Sequence, residues 1–295
     1  MIFSKKIEFN DHTGPVYSIA SAEHFIYSSG ADNWVARWNL QAQKQDEFAI
    51  KLDSPAYSIF HSVTKPLLFI GCSNGDFHVI NTIIREEINF IKHHKSAIFS
   101  IQENPRTNQI YSGDSAGNLC IWNSISFQLE LQIPLNCEKI RAIGLIDEGT
   151  KIVVLSKDGK LRLFETSYYN ELLCIPINSD GLQSILSVSD LHLVGGHDGF
   201  LYVVNSTTNS ILSKIAAHKG AIYSIKQINQ TIFATSSRDK TVKIWDLTTM
   251  RVLQKLDLKV GGHKNSVNDI LLFNNELLVS CSDDSKIIGW KLNDL

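Results

Sequence analysis

The sequence predicts an all-β chain built from seven copies of a small four-stranded antiparallel sheet. Three observations support this fold class. A sequence repeat of about 40 residues recurs along the whole 295-residue chain. Within each copy the apolar residues form short runs, rich in β-branched and aromatic side chains, that alternate with period two. Clusters of turn-forming residues separate these runs.

The repeat is clearest in four stretches, which begin at His12, His94, His218 and His263, and those from His12 and His218 align almost residue by residue. Three weaker copies fill the gaps between them. The residues at the tryptophan position are, in order, Trp38, Ile80, Trp122, Phe164, Val204, Trp245 and Trp290, at intervals of 42, 42, 42, 40, 41 and 45 residues. Helical repeats of similar length do not fit, because the apolar runs are short and β-like.

The sixth copy shows the expected strands most clearly. They are predicted at Ala221–Lys226, Thr231–Ser236, Thr241–Asp246 and Val252–Leu258, with polar turn residues between them. Each copy is therefore expected to form one antiparallel sheet whose two faces are covered by its neighbours.

A period of this length, with a His near the start and a Trp-Asp or Trp-Asn pair near the end, resembles the WD-repeat family. The resemblance covers essentially the whole chain. It implies a single domain, residues 1–295, folded as a seven-bladed β-propeller. The repeats are expected at approximately 12–52, 53–92, 93–134, 135–178, 179–216, 217–259 and 260–295, with an additional strand at 4–9.

The last repeat is one strand short, because only three residues follow Leu292. In WD-repeat propellers an N-terminal strand completes the last blade. Here Ser4–Phe9, with Ile7 and Phe9 on one face, is expected to pair with Lys286–Leu292. Such pairing removes an exposed sheet edge, so deletion of residues 1–10 is expected to destabilise the protein strongly.

Charge and composition argue against several classes of protein. Lys and Arg number 28 and Asp and Glu number 30, for a formal charge of −2. A main role in binding nucleic acid is not expected without a basic excess. Residues 1–12 lack the apolar stretch of a secretory signal, and no segment approaches the roughly 18 apolar residues of a membrane span. We therefore expect a cytoplasmic protein without membrane association.

The five cysteines are odd in number and include no C-x-x-C pair. We expect them to be reduced and buried rather than paired or metal-bound.

Three repeats contain the residue types of a hydrolase triad, followed each time by a tryptophan. The sets are His12, Ser28, Asp32 and Trp38; His218, Thr235, Asp239 and Trp245; and His263, Ser280, Asp284 and Trp290. A nucleophile is needed once, whereas these sets recur at the repeat period. In WD-repeat proteins such residues form a buried hydrogen-bond network within the blade. A structural role is therefore expected, and no catalytic residue is predicted.

The third repeat keeps His94, Ser112 and Trp122 but has Ala116 at the aspartate position. We therefore expect its network to be incomplete, and the complete network to be confined to blades one, six and seven.

The remaining repeats deviate further, with Asn74 in the second, Asp158 without a histidine in the fourth, and Asp198 in the fifth. Blades two, four and five are expected to depend on apolar packing alone. Asp239→Ala should then cost more stability than Asp158→Ala.

No metal or cofactor site is predicted. His93 and His94 are adjacent and would point to opposite faces of an extended segment, which argues against a shared metal. The glycine-rich Val194–Gly199 lacks the context of a nucleotide site and is interpreted as a strand end with a turn. A propeller enzyme of hydrolase or lactonase type, with an axial active site, stays open as the alternative.

The family resemblance directs the search for a binding site to the top face. There WD-repeat proteins most often use the start of each innermost strand and the residue before the turn aspartate. The strand-start positions are Tyr17, Tyr57, Phe99, Arg141, Gln183, Tyr223 and Asn268, and the cationic or imidazole residues before the turn are Lys157, His197 and Arg238. Aromatic residues and arginine are typical of interface hot spots.

Four positive charges lie on repeats four and six, at Lys139, Arg141, Lys157 and Arg238. They favour an acidic or phosphorylated protein segment as the partner. The sequence thus predicts a non-catalytic scaffold for protein–protein interaction, monomeric by itself. It does not identify the partner.

Overall fold

The computed structural model describes residues 2–293, so Met1, Asp294 and Leu295 of the predicted domain lie outside the described residues. The chain forms seven four-stranded antiparallel sheets, the blades of a seven-bladed β-propeller. In six blades the strands follow one another in chain order from the inner to the outer edge. The predicted fold class is confirmed.

The chain divides into two compact units. The first contains the chain up to Ala56, the short segment Asp198–Phe200 and the chain from Ala216 onward. The second contains Tyr57–His197 and Leu201–Ile215. Blades 1, 6 and 7 lie in the first unit and blades 2 to 5 in the second, apart from a few boundary residues.

The first unit contains twelve strands. Blade 1 consists of β2 (Val16–Ala22), β3 (Phe25–Gly30), β4 (Trp34–Asn39) and β5 (Lys44–Lys51). Blade 6 consists of β22 (Ile222–Gln227), β23 (Ile232–Ser237), β24 (Val242–Asp246) and β25 (Val252–Leu256). Blade 7 consists of β26 (Val267–Phe273), β27 (Leu277–Ser282), β28 (Ile287–Leu292) and β1 (Phe3–Phe9). A 3₁₀ turn follows β25 at Leu258–Val260.

The second unit has four blades with strands of similar length. Blades 2 and 3 consist of β6 (Ala56–His61), β7 (Leu67–Cys72), β8 (Asp76–Asn81), β9 (Glu86–Lys92), β10 (Ile98–Asn104), β11 (Gln109–Asp114), β12 (Asn118–Asn123) and β13 (Leu129–Pro134). Blades 4 and 5 consist of β14 (Ile140–Ile146), β15 (Lys151–Ser156), β16 (Lys160–Glu165), β17 (Glu171–Pro176), β18 (Leu182–Val188), β19 (Leu191–Gly196), β20 (Phe200–Asn205) and β21 (Ile211–Ala216). A 3₁₀ turn at Asp147–Gly149 connects β14 to β15.

The N-terminal strand completes blade 7, as predicted. β1 pairs antiparallel with β28, with Phe3 opposite Leu292 and Phe9 opposite Ile287. Gln254 of blade 6 fixes the start of this strand, because its side-chain amide accepts from Phe3 N and donates to Phe3 O, both at 2.8 Å. The added strand is therefore linked to two blades of the first unit.

The predicted strands of the sixth repeat are found with small shifts. The first three begin one residue later than expected, at Ile222, Ile232 and Val242. The fourth ends at Leu256 rather than Leu258. It stops there because the Asp257 side chain accepts a hydrogen bond from Lys259 N and starts the 3₁₀ turn.

Apolar side chains between the sheets form the core of each unit. In the first unit Phe3, Val267 and Trp290 are fully buried among residues of blades 6 and 7. In the second unit Phe69 and Trp122 belong to one cluster and Tyr111 to the next. The outer strands β9, β13, β17 and β21 are exposed along most of their length, and they include exposed apolar residues such as Leu172 and Leu212.

Candidate functional site

Six of the ten predicted binding residues share a backbone feature that the sequence did not reveal. In β10, Ile98 pairs with Asp114 and Ser100 with Gly113, so Phe99 has no partner and forms a β-bulge. The residues skipped in this way are Tyr17, Phe99, Arg141, Gln183, Tyr223 and Asn268. A bulge redirects its side chain away from the regular alternation of the strand. The fold thus sets these residues apart from the packed faces of their blades.

In the second unit three of these residues are in direct contact. The rings of Tyr57 and Phe99 are stacked, with centroids 5.2 Å apart and planes inclined by 20°. The Arg141 guanidinium carbon lies 4.4 Å from the Phe99 centroid on a cation–π contact. All three side chains are partly buried, so they are held by neighbours and still reach solvent.

The contacts continue into the next blade. Arg141 Nε donates to Gln183 Oε1 at 2.8 Å, and the Gln183 amide nitrogen lies 3.3 Å from His197 Nδ1. We call Tyr57, Phe99, Arg141, Gln183 and His197 the aromatic–arginine row. It runs through blades 2 to 5 of the second unit.

Two lysines accompany this row. Lys139 Nζ lies 5.8 Å from the Phe99 ring centre, and the Lys139 side chain is exposed. Lys157 is partly buried, and its backbone N–H donates to Lys139 O at 2.9 Å. Lys139 and Arg141 thus both bring positive charge to the Phe99 ring.

The predicted positions of the first unit have different surroundings. Asn268 Nδ2 bonds to Val16 O at 2.8 Å and to Asp283 Oδ1 at 2.7 Å, which holds the start of β26 next to Tyr17. Tyr223 is partly buried. Arg238 is exposed, and its backbone N–H donates to Ala221 O at 3.0 Å.

Asp269 is a polar residue near the strand starts that the sequence comparison missed. Five of the seven repeats have serine one residue after the strand-start position, whereas the seventh has Asp269. Its Oδ2 accepts from Ile19 N at 3.2 Å and from Ser18 Oγ at 3.4 Å, and burial raises the pKa of the Asp269 carboxyl. Comparison of this column along the repeats would have identified it.

The triad-like residues form hydrogen-bonded chains inside their blades. In blade 6, Trp245 Nε1 lies 2.8 Å from Thr235 Oγ1, which is 2.7 Å from His218 Nε2, and His218 Nδ1 is 2.9 Å from Asp239 Oδ2. Blades 1 and 7 repeat this arrangement from Trp38 and Trp290 to their turn aspartates.

The donors in this chain can be assigned from chemistry. The indole N–H can only donate and the carboxylate can only accept. The hydroxyl therefore donates to Nε2, and a neutral His218 donates from Nδ1 to Asp239. Burial lowers the pKa of His218 despite this bond, which keeps the imidazole neutral. The Thr235 hydroxyl is fully buried, and its oxygen accepts from the Trp245 indole N–H, so this oxygen is not exposed to a substrate.

The aspartates of these chains stay ionised. Burial tends to raise their pKa values, but hydrogen bonds from the histidine and from backbone N–H groups outweigh it. The pKa of Asp284 falls to about 2, and those of Asp32 and Asp239 are also lowered.

The interpretation that blade 3 lacks the carboxylate is wrong. His94 Nδ1 lies 2.8 Å from Asp114 Oδ2, and the chain continues through Ser112 to Trp122. Asp114 is two residues earlier than the aligned position, at the end of β11, yet it reaches the same imidazole nitrogen. It is the sole acidic residue between Ser112 and Trp122, and this could have identified it.

Blade 4 also departs from the expectation of apolar packing alone. Arg162, 5% exposed, donates to Asp158 Oδ2 at 2.6 Å and to Ser156 Oγ at 2.7 Å. An arginine thus donates to the turn aspartate in place of the histidine, and to the serine hydroxyl in place of the tryptophan. The predicted difference between Asp239→Ala and Asp158→Ala loses its basis, because both carboxylates have a buried partner.

Cysteines and histidines outside these chains are accounted for separately. All five cysteines are free thiols, but Cys174 is exposed on the outer strand β17, so the expectation of general burial is wrong for it. His93 Nε2 lies 2.8 Å from Gln132 Oε1. Residues 2–293 contain no group of three or more His, Cys, Asp or Glu side chains arranged to hold a metal ion.

Within the described chain, no helix has the length and apolar character needed to cross a membrane.

The comparisons with known proteins agree with the blade architecture. Residues 85–123, 209–246 and 254–291 match the family model of the WD domain, G-beta repeat. These matches identify WD repeats at three positions of the chain, which is folded as a seven-bladed β-propeller.

Its curated relatives include guanine nucleotide-binding protein β subunits of plants. The Zea mays protein is 25% identical over 207 residues, covering 68% of this chain and 45% of the relative, and the Solanum tuberosum protein is 22% identical over 209 residues, covering 61% and 52%. A third relative is the target of rapamycin complex subunit wat1 of Schizosaccharomyces pombe, 31% identical over 96 residues, covering 32% of this chain and 29% of the relative. The chain spans about half the length of the plant relatives it matches.

Proposed function

We propose that this chain is a non-catalytic scaffold that binds a protein partner on its top face. The observation that carries the proposal is the stack of Tyr57, Phe99 and Arg141 at strand-start positions. Large aromatic side chains and arginine contribute most of the binding energy in many interfaces. Named relatives that are subunits of larger assemblies support a protein as partner.

The partner segment is proposed to be acidic or phosphorylated. Arg141 is already oriented by Phe99 and Gln183, so little side-chain entropy is lost when it binds an anion. Lys139 and Lys157 stand beside it, and a guanidinium with a nearby ammonium suits a phosphate or carboxylate. The remaining top-face positions, Tyr17, Tyr223, Arg238 and Asn268, are proposed to extend the contact surface. A cytoplasmic location and a monomeric state in isolation remain predictions from the sequence.

Fluorescence-labelled peptides of mixed sequence, in acidic, phosphorylated and unphosphorylated pools, provide the test. We expect wild-type protein to bind the acidic or phosphorylated pool and Tyr57→Ala/Arg141→Glu to lose this binding at an unchanged melting temperature. A matched control is Tyr168→Ala/Arg85→Glu, which changes the same residue types in exposed turns after the third strands of blades 4 and 2. Equal binding by the Tyr57/Arg141 variant and wild type would refute the top-face assignment.

A further inference from the structure

A pocket of about 200 Å³ opens in the first unit on the side of blade 1. Its walls include the linker between β1 and β2, at Asp11, and the face of blade 1 that carries Trp34 and Ala36. On this face Trp38 packs against Phe9 of blade 7, with ring centroids 4.9 Å apart. We call this cavity the blade 1 pocket.

The pocket exists because two small residues face each other across strands. Ala36 of β4 pairs with Ala49 of β5, and both line the cavity. The next pair is Trp38 with Gln45, so three residues of β5 bulge out opposite the single Arg37. Phe48 within this bulge is buried against Tyr27 on the other face of the blade, with ring centroids 5.5 Å apart, and therefore does not fill the pocket.

Two other blades, 4 and 6, have a long basic side chain at the position of Ala36, two residues before the tryptophan position. In blade 4 it is Arg162, which binds Asp158, the counterpart of Asp32. In blade 6 it is Lys243, which donates to Ala217 O and is attracted by Asp239. Blade 1 retains the aspartate but has no side chain to occupy this space.

Carboxylate oxygens that line the blade 1 pocket can accept further hydrogen bonds. Among residues 2–293, Asp32 Oδ1 accepts only from Trp34 N, at 3.2 Å, whereas the equivalent Asp239 Oδ1 also accepts from the Thr241 hydroxyl at 2.6 Å. Asp11 is exposed and makes no hydrogen bond or ion pair with the described part of the chain. The Trp34 ring is 40% exposed and presents a π surface of the kind that binds guanidinium groups.

One cation already lies near the mouth of the pocket. Lys51 Nζ is 5.0 Å from the Trp34 ring centre and donates to Asp32 O at 2.9 Å. It binds the backbone carbonyl and leaves both carboxylates to a ligand. The carboxylates of Asp11 and Asp32 carry two negative charges, against the single positive charge of Lys51.

We propose that the blade 1 pocket binds the guanidinium group of an arginine presented by a protein partner. The inserted arginine would occupy the space that Arg162 fills within blade 4, with its charge toward Asp32 and Asp11 and its plane against Trp34. Arginine suits this site better than lysine, because its planar group can stack and donate several hydrogen bonds at once. This site is separate from the top face and does not depend on the proposal made for it.

The probe is the peptide acetyl-Gly-Arg-Gly-amide, followed through the indole ¹⁵N–¹H signal of Trp34 in the full chain. Its control is the same peptide with citrulline, which has nearly the same shape but no charge. We expect a saturable shift for the arginine peptide and binding at least about tenfold weaker for citrulline, because charged hydrogen bonds are about twice as strong as neutral ones.

Variants separate the pocket from unspecific attraction. Ala36→Arg should abolish the shift, because the protein then fills its own pocket as blade 4 does, and Asp11→Asn should weaken binding without affecting any internal hydrogen bond. Lys51→Met should strengthen binding by removing the competing cation. The Tyr57/Arg141 variant should bind as wild type does. Equal binding of citrulline, persistence of binding in Ala36→Arg, or lack of a saturable shift would overturn the proposal.

Discussion

Arg162 donates to both carboxylate oxygens of Asp158, at 2.6 and 3.2 Å, in a blade where no histidine reaches the turn aspartate. Burial raises and this pairing lowers the pKa of Asp158, with a net decrease. The ion pair connects the turn after β15 to the middle of β16. It fulfils the role that the His–Asp bond has in blades 1, 3, 6 and 7.

Asp158→Ala should therefore destabilise the protein by about 3 kcal/mol, since the buried Arg162 would keep only the weaker ion pair with Glu171, at 3.9 Å. The value is at the lower end for a buried pair because the Asp158 side chain is 22% exposed. Urea unfolding of Asp158→Ala, Arg162→Met and the double variant measures the effect. The double variant should lose less stability than the two single losses added together, and strict additivity would count against a coupled pair.

Asp114→Ala should destabilise blade 3, because the His94 Nδ1–H would lose its acceptor in a buried position. A loss of about 1–3 kcal/mol is expected for an unsatisfied buried donor. Adding Ala116→Asp to this variant should restore part of the stability, since position 116 corresponds to Asp32 in blade 1. Chemical denaturation measures both steps. If Asp114→Ala leaves the unfolding free energy unchanged, the His94 chain has no stabilising role.

Stability should decrease as the pH falls below about 6.5, in part because of His218. The pKa of His218 is lowered in the folded state from the ordinary value of 6.5, so the unfolded chain binds the proton more readily. The stabilisation is complete above pH 6.5 and is lost as the pH falls through the folded-state pKa. Unfolding free energies between pH 7.5 and 5.0 should show a flatter profile for His218→Gln. Parallel profiles would contradict this assignment.

A second decrease is expected at lower pH from the turn aspartates. The pKa of Asp284 is lowered to about 2, so its contribution is complete above the ordinary value of 3.8 and is lost as the pH falls toward 2.

Phe3→Ala should lower the free energy of unfolding by about 3–5 kcal/mol. Phe3 of β1 is fully buried among residues of blades 6 and 7, and its removal leaves a cavity. Gln254→Ala should cost about 1 kcal/mol through its two bonds to the Phe3 backbone. Gln230→Ala, in an exposed turn, is the control. Thermal unfolding distinguishes the three variants. If Phe3→Ala unfolds at the wild-type temperature, β1 does not contribute to the stability of blade 7.

The sequence predicted the sheets well because each strand is a local pattern. Alternating side chains and turn residues fix a strand to within a residue or two, as in the sixth repeat. The predicted strand ends were less accurate where a side-chain hydrogen bond ends the strand. The bond from Lys259 N to the Asp257 side chain after β25 is an example. Alignment of the repeats also found the strand-start positions, although it could not show that they are bulges.

The sequence by itself determined the number of blades, their strands and the His–Ser/Thr–Asp–Trp sets, because these depend on spacing that repeats along the chain. The tertiary structure decided which side chains meet across strands and blades. Asp114 replaces an aspartate missing at position 116, Arg162 binds Asp158, and Arg141 lies on Phe99. These contacts depend on strand register, bulges and side-chain reach, and residues far apart in the chain become neighbours only after the sheets have formed.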